Sequence, residues 1–100
     1  PARAEFDADR VPARLTVRAR RVGDRFLPWG GPGERRLKTF LIDAGIPRWE
    51  RSRIPLLEAD GEIIWVAGLR RGRAAPVTDD TRRILEVTLA SPLAVPPAPG

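Results

Sequence analysis

The dipeptide Asp60-Gly61 stands between two strand-like runs, Leu56-Leu57-Glu58-Ala59 and Glu62-Ile63-Ile64-Trp65-Val66-Ala67, and no other feature restricts the fold as much. An Asp-Gly pair supplies the positive-φ positions of a tight hairpin turn, so the two runs are predicted to pair as neighbouring antiparallel strands. The second run is apolar on both faces. That predicts a central strand covered from both sides.

The rest of the chain arranges itself around this hairpin. Leu15, Val17 and Ala19 alternate with Arg14, Thr16, Arg18 and Arg20. This period of two predicts a half-buried strand with its apolar residues inward and a ladder of arginines outward. Glu5 to Asp9 reads as a short edge strand, and Arg82 to Leu89 as a final strand. Val22-Gly23-Asp24 reads as a turn, and Pro28 to Gly33 as a loop holding Trp29. Leu37, Phe40, Leu41 and Ala44 sit at i, i+3, i+4 and i+7 and predict one main helix. Glu34 favours its positive end, and Gly45 is placed to end it. Pro47 suits the opening of a short helical turn that Pro55 limits. Gly68 to Arg73 reads as a basic loop. The expected class is α+β: a small, mostly β domain of about five short strands, one main helix and a short helical turn. It occupies residues 1–90, and a Pro/Ala-rich disordered tail is expected over 91–100.

The chain's 100 residues suit a single domain with one modest core. It starts at Pro1 without a methionine, which points to a fragment or a processed product. No apolar run approaches the length of a membrane helix, and no secretory signal pattern is present. Cysteine and histidine are both absent. This excludes disulfides, thiolate nucleophiles, Ser-His and Cys-His pairs and the usual zinc ligands, and it is compatible with a cytoplasmic location. The net charge is +5, carried by seventeen arginines and one lysine, Lys38. The guanidinium fork matches phosphate in bidentate fashion, so an arginine-dominated domain of this charge is a candidate nucleic-acid binder.

Three basic clusters carry that candidacy. Arg18, Arg20, Arg21 and Arg25 surround the Gly23 turn. They read either as phosphate ligands or as a solvated strand face, with Asp24 as a possible ion-pair partner. Arg35, Arg36 and Lys38 fall at the predicted helix start, an unfavourable place for cations that a bound anion would offset. The glycine spacing ahead of them does not match a nucleotide-binding P-loop. Arg48 and Arg51 flank Trp49, which is assigned to core packing, with stacking on a base as the alternative. Trp65 reads as core; Trp29 fits either role. Arg70, Arg71 and Arg73 form a fourth, weaker cluster. Thr78-Asp79-Asp80-Thr81 reads as a turn or cap rather than a metal site.

Taken in order, Leu15-Thr16-Val17-Arg18, Arg21-Val22-Gly23-Asp24-Arg25-Phe26, Pro28, Gly30, Arg35-Arg36-Leu37-Lys38, Ile46-Pro47-Arg48, Arg51, Pro55, Ile64-Trp65-Val66-Ala67-Gly68 and Arg70 form a spaced set. This set resembles the C-terminal domain of tRNA(Ile)-lysidine synthetase, over about Phe6 to Leu89. The resemblance implies a compact, mostly β fold shared with the phenylalanyl-tRNA synthetase β subunit. It also implies a parent ligase that uses ATP and lysine to convert the wobble cytidine of an isoleucine tRNA to lysidine. That chemistry belongs to an N-terminal domain with a Ser-Gly-Gly pyrophosphate loop, and this chain holds no such loop. The chain by itself is therefore expected to be non-catalytic, with ATP and Mg confined to the catalytic domain. The implied partners are isoleucine-type tRNA, gripped near its acceptor stem, the catalytic domain of the same polypeptide, and a second copy as a homo-oligomer. The implied tRNA-binding residues are Arg18, Arg20, Arg21, Arg25, Arg35, Arg36, Lys38, Arg48 and Arg51. One departure is Gly45, where many relatives carry a basic residue before the Ile-Pro-Arg step. A structural module that docks on the catalytic half or on a second subunit is the rival expectation.

Overall fold

The computed structural model describes residues 2–90. The Pro/Ala-rich tail expected over 91–100 lies outside them. Eight strands, one α-helix and one 3-10 turn follow in the order β1 (Arg3–Asp7), β2 (Leu15–Arg18), β3 (Arg25–Phe26), β4 (Arg35–Arg36), α1 (Leu37–Asp43), the 3-10 turn (Arg51–Arg53), β5 (Leu56–Ala59), β6 (Glu62–Val66), β7 (Arg70–Arg71) and β8 (Ile84–Thr88). Five of the strands have four or five residues, as the sequence patterning predicts. The other three are two-residue ladders too short to leave a periodic signal.

The β5–β6 hairpin forms as expected. Asp60 and Gly61 adopt φ of 49° and 89°, the paired left-handed positions of a type I′ turn. β6 is central in the antiparallel sheet β2-β5-β6-β7, and β1 and β8 pair antiparallel in a separate sheet. Ile63 and Val66 enter one core with Phe26, Leu37, Phe40, Leu41 and Leu56. Ile64, Trp65 and Ala67 enter another with Ala4, Phe6, Leu57 and Ala59. One strand thus feeds two cores, which is why its sequence shows no polar face.

The outward arginine ladder predicted on β2 is corrected in part. Register places Leu15 and Val17 opposite Ala59 and Leu57. Both nevertheless stay outside the core that those partners join, and Val17 is 69% exposed. Arg18, expected outward, keeps only 10% of its side chain exposed, because two carboxylates enclose it. β2 is an edge strand, so its alternation marks a sheet face without ensuring that anything covers that face.

The predicted helix forms but starts later than the basic run suggests. Arg35 and Arg36 are not helical; they pair with Phe26 and Arg25 as β4. Arg36 is extended, with φ −65° and ψ 133°, and the Leu37 N–H donates to the Asp24 carbonyl at 2.9 Å. Glu34 therefore caps nothing and pairs with Arg25 instead. Ala44 is an exposed C-cap rather than part of the buried stripe. Gly45, at φ 76°, ends the helix with a Schellman pattern: its N–H donates to Ile42, and that of Ile46 to Leu41. At that φ any side chain in place of the glycine would meet the left-handed penalty.

Candidate nucleic-acid interface

Three segments converge at one end of α1. The turn from Arg20 to Arg25 supplies one part, Arg36 to Lys38 a second, and the Pro47–Arg51 turn a third. Between them lies an open groove of about 750 Å³. Arg20, Arg21, Arg25, Arg36, Lys38, Arg48 and Arg51 all line it, seven of the nine residues singled out by sequence. Among the described residues, Arg20, Arg21, Arg36, Lys38 and Arg48 make no ion pair. The only acidic residue lining the groove is Asp24. So many like charges in one concavity repel one another and raise the local positive potential, which favours a polyanion.

Asp24 organises the first wall. Its carboxylate accepts two N–H bonds from Arg18, at 3.0 and 2.9 Å, and one from the Arg21 backbone at 2.6 Å. Its carbonyl accepts from Leu37 at the helix start. One residue thus ties the arginine turn to α1. The Arg18 hydrogen bonds hold the Asp24 carboxyl below the usual carboxylate range, and the same bonds raise the Arg18 guanidinium pKa against the cost of burial. Arg18 also donates from Nε to Glu58 at 2.9 Å. Its fork is consumed by these partners, so it braces the groove from behind.

The remaining candidates differ in how free they are. Arg25 lines the groove but is ion-paired with Glu34 at 2.6 Å. Arg51 donates from Nε to the Ile46 carbonyl at 3.0 Å, which closes the Pro47 turn and leaves its remaining N–H groups. Arg35 is not among the groove-lining residues. It pairs with Asp43 and lies 5.9 Å over the Phe40 ring.

Among the tryptophans one expectation is overturned. Trp49, expected in the core, is 74% exposed. Trp65 is buried as expected. Trp29 is half-exposed and stacks 5.1 Å from the Arg71 guanidinium, which also lies 4.3 Å from Phe6. Arg71 donates to the carbonyls of Glu5, Gly72 and Ala74, so this cation is structural. Burial lowers its pKa from the ordinary guanidinium value. Its local sequence does not separate it from Arg70 or Arg73, because Glu5, Phe6 and Trp29, which set it apart, lie far away in the chain.

The Thr78–Thr81 segment is a turn, but its threonines make the bonds. Thr81 Oγ1 accepts from the Thr78 N–H, and Thr78 Oγ1 from the Asp80 N–H. The Gly30–Gly33 loop leads into strand β4 rather than directly into a helix, so it lacks the loop-to-helix arrangement of a helix N-terminal phosphate cradle. Among the described residues, no helix is long and apolar enough to cross a membrane.

Comparison with known proteins gives a consistent set of likenesses. Residues 15–87 match the family described as the TilS substrate C-terminal domain. Over 84 residues the chain is 45% identical to the tRNA(Ile)-lysidine synthase of Dehalococcoides mccartyi and 38% identical to that of Geobacter sulfurreducens. Each alignment covers 84% of this chain and 18% of the relative, so the chain spans under a fifth of their length. A solved TilS C-terminal domain superposes with a TM-score of 0.75 at 39% identity, covering 90% of this chain and 71% of that one. An N-terminal fragment of the phenylalanyl-tRNA synthetase β subunit from Pyrococcus horikoshii superposes with a TM-score of 0.71 over 84% of this chain and 26% of that one. At 19% identity, this second likeness concerns the fold.

Proposed function

The chain belongs to the TilS substrate C-terminal domain family, and from that membership we propose that it is the tRNA-gripping domain of a cytoplasmic tRNA(Ile)-lysidine synthase. The domain holds the acceptor stem of an isoleucine-type tRNA while a separate catalytic domain of the same polypeptide uses ATP, Mg and lysine on the wobble cytidine. The chain by itself carries no catalytic step. The observation behind this reading is the gathering of seven cationic side chains in one groove.

A stem of A-form RNA is met mainly through its shape, its phosphates and its 2′-hydroxyls. Arg20, Arg21, Arg36, Lys38 and Arg48 contact phosphates, with Arg25 and Arg51 adding to the potential. Arg18 contributes by holding Asp24 and the turn, and Arg35 by its packing over Phe40. Neutralising five phosphates gives a slope of log affinity against log salt of roughly −4 to −5. Titrating tRNA into the chain at low salt tests the reading: saturable binding supports it, and absence of binding contradicts it.

A second reading draws on a different surface. Exposed Val17 borders an apolar groove with Leu57, Trp65, Ala67, Val87 and Leu89. Here the domain docks on the catalytic half of its polypeptide or on a second copy of itself. Sedimentation of the chain across concentration reveals self-association if a second copy is the occupant.

A further inference from the structure

Trp49 is the most exposed tryptophan of the chain, and it belongs to neither core. It sits in the turn closed by the Glu50 N–H donating to the Pro47 carbonyl at 2.9 Å. Its predecessor Arg48 lines the basic groove, as does Arg51 two residues on. The Arg51 bond to Ile46 and the packing of Ile46 and Ile54 against the Phe26–Phe40 core fix the backbone on both sides. A large indole is therefore held in solvent by an anchored segment, at the margin of a polyanion-binding concavity.

An aromatic plane among guanidinium groups fits one chemistry especially well. An unstacked nucleobase offers a π face, and its flanking phosphates offer charge. The paired bases inside a stem are stacked on one another and present no free face. An unpaired nucleotide, in a single-stranded extension, bulge or loop, does. We propose that Trp49 is a stacking platform for an unpaired nucleobase at the end of the RNA stem held in the groove, so that the domain senses where a stem stops. This rests on the RNA-binding reading above and adds the kind of RNA end that is recognised.

The test uses the Trp29→Phe chain, in which Trp49 is the exposed fluorophore and Trp65 stays buried. The probes are two RNA duplexes of identical stem, one with a single-stranded extension and one blunt at both ends. The extended RNA is expected to quench Trp49 emission and to bind more tightly than the blunt one. Trp49→Ala is expected to weaken the extended RNA by about 5- to 150-fold, the range set by one base stacked on an aromatic ring. The same change leaves the blunt RNA and the salt slope unaltered, and Trp49→Phe retains most of the affinity. Unchanged binding of extended RNA by Trp49→Ala, or equal binding and equal quenching by both RNAs, overturns the stacking role alone. Binding of neither RNA by the unsubstituted chain contradicts the RNA-binding reading itself, and with it this role.

Discussion

The guanidinium of Arg18 meets the carboxylate of Asp24 through two hydrogen bonds of 3.0 and 2.9 Å, one to each oxygen, with side chains only 10% and 12% exposed. The pair joins an edge strand to the turn that carries Arg20, Arg21 and Arg25. Removing one partner leaves the other charge enclosed, which is the costly way to break such a pair. Arg18→Met is expected to destabilise the fold by about 3 kcal/mol in urea unfolding. RNA affinity is expected to fall while the salt slope stays unchanged, because Arg18 makes no phosphate contact.

The same pair sets a dependence on pH. The folded Asp24 carboxyl titrates below its ordinary value, chiefly through its hydrogen bonds with Arg18. Its contribution to stability is fully present above the unfolded value, near 4, and is lost as pH falls through the folded value. Asp24→Asn is expected to be less stable at neutral pH and to lose less stability on acidification. Thermal unfolding followed from pH 7 down to about 2 checks this.

The groove arginines are expected to divide by whether they are free. Arg21→Ala and Arg48→Ala should weaken every RNA by similar factors and each reduce the salt slope by about 1. Arg35→Ala and Arg83→Ala should leave the slope unchanged, since Arg35 is paired with Asp43 and Arg83 with Asp9. Anisotropy titrations at several salt concentrations separate the two groups.

Gly45 makes a prediction about the helix that supports Lys38. At φ 76° a side chain meets the left-handed penalty. Gly45→Ala is expected to cost about 1 kcal/mol and to lower the melting temperature by roughly 4–8 °C. Calorimetry provides the measurement.

Much of this architecture is visible in the sequence where the signal is local. Asp60-Gly61 names its turn, the Leu37–Leu41 spacing names its helix, and Gly45 names its end. The basic clusters are also legible, and seven of their residues meet in one groove. What alternation alone does not reveal is the fate of Arg18, because one of its carboxylates, Glu58, lies forty residues away in the chain. The strand at Arg35–Arg36 was hidden for a similar reason: its partner is the two-residue ladder Arg25–Phe26. Trp49 misleads because its neighbours Ile46 and Ile54 are apolar and do pack inward, while the turn carries Trp49 outward.

The most direct test of the groove as the tRNA grip is the salt dependence of tRNA binding by the unsubstituted chain beside an Arg21→Ala, Lys38→Ala, Arg48→Ala variant. The unsubstituted chain is expected to bind at low salt with a slope of roughly −4 to −5, and the variant to lose about three units of that slope. Absence of binding by the unsubstituted chain at low salt, or an equal slope in the two proteins, would contradict a tRNA stem seated in this groove.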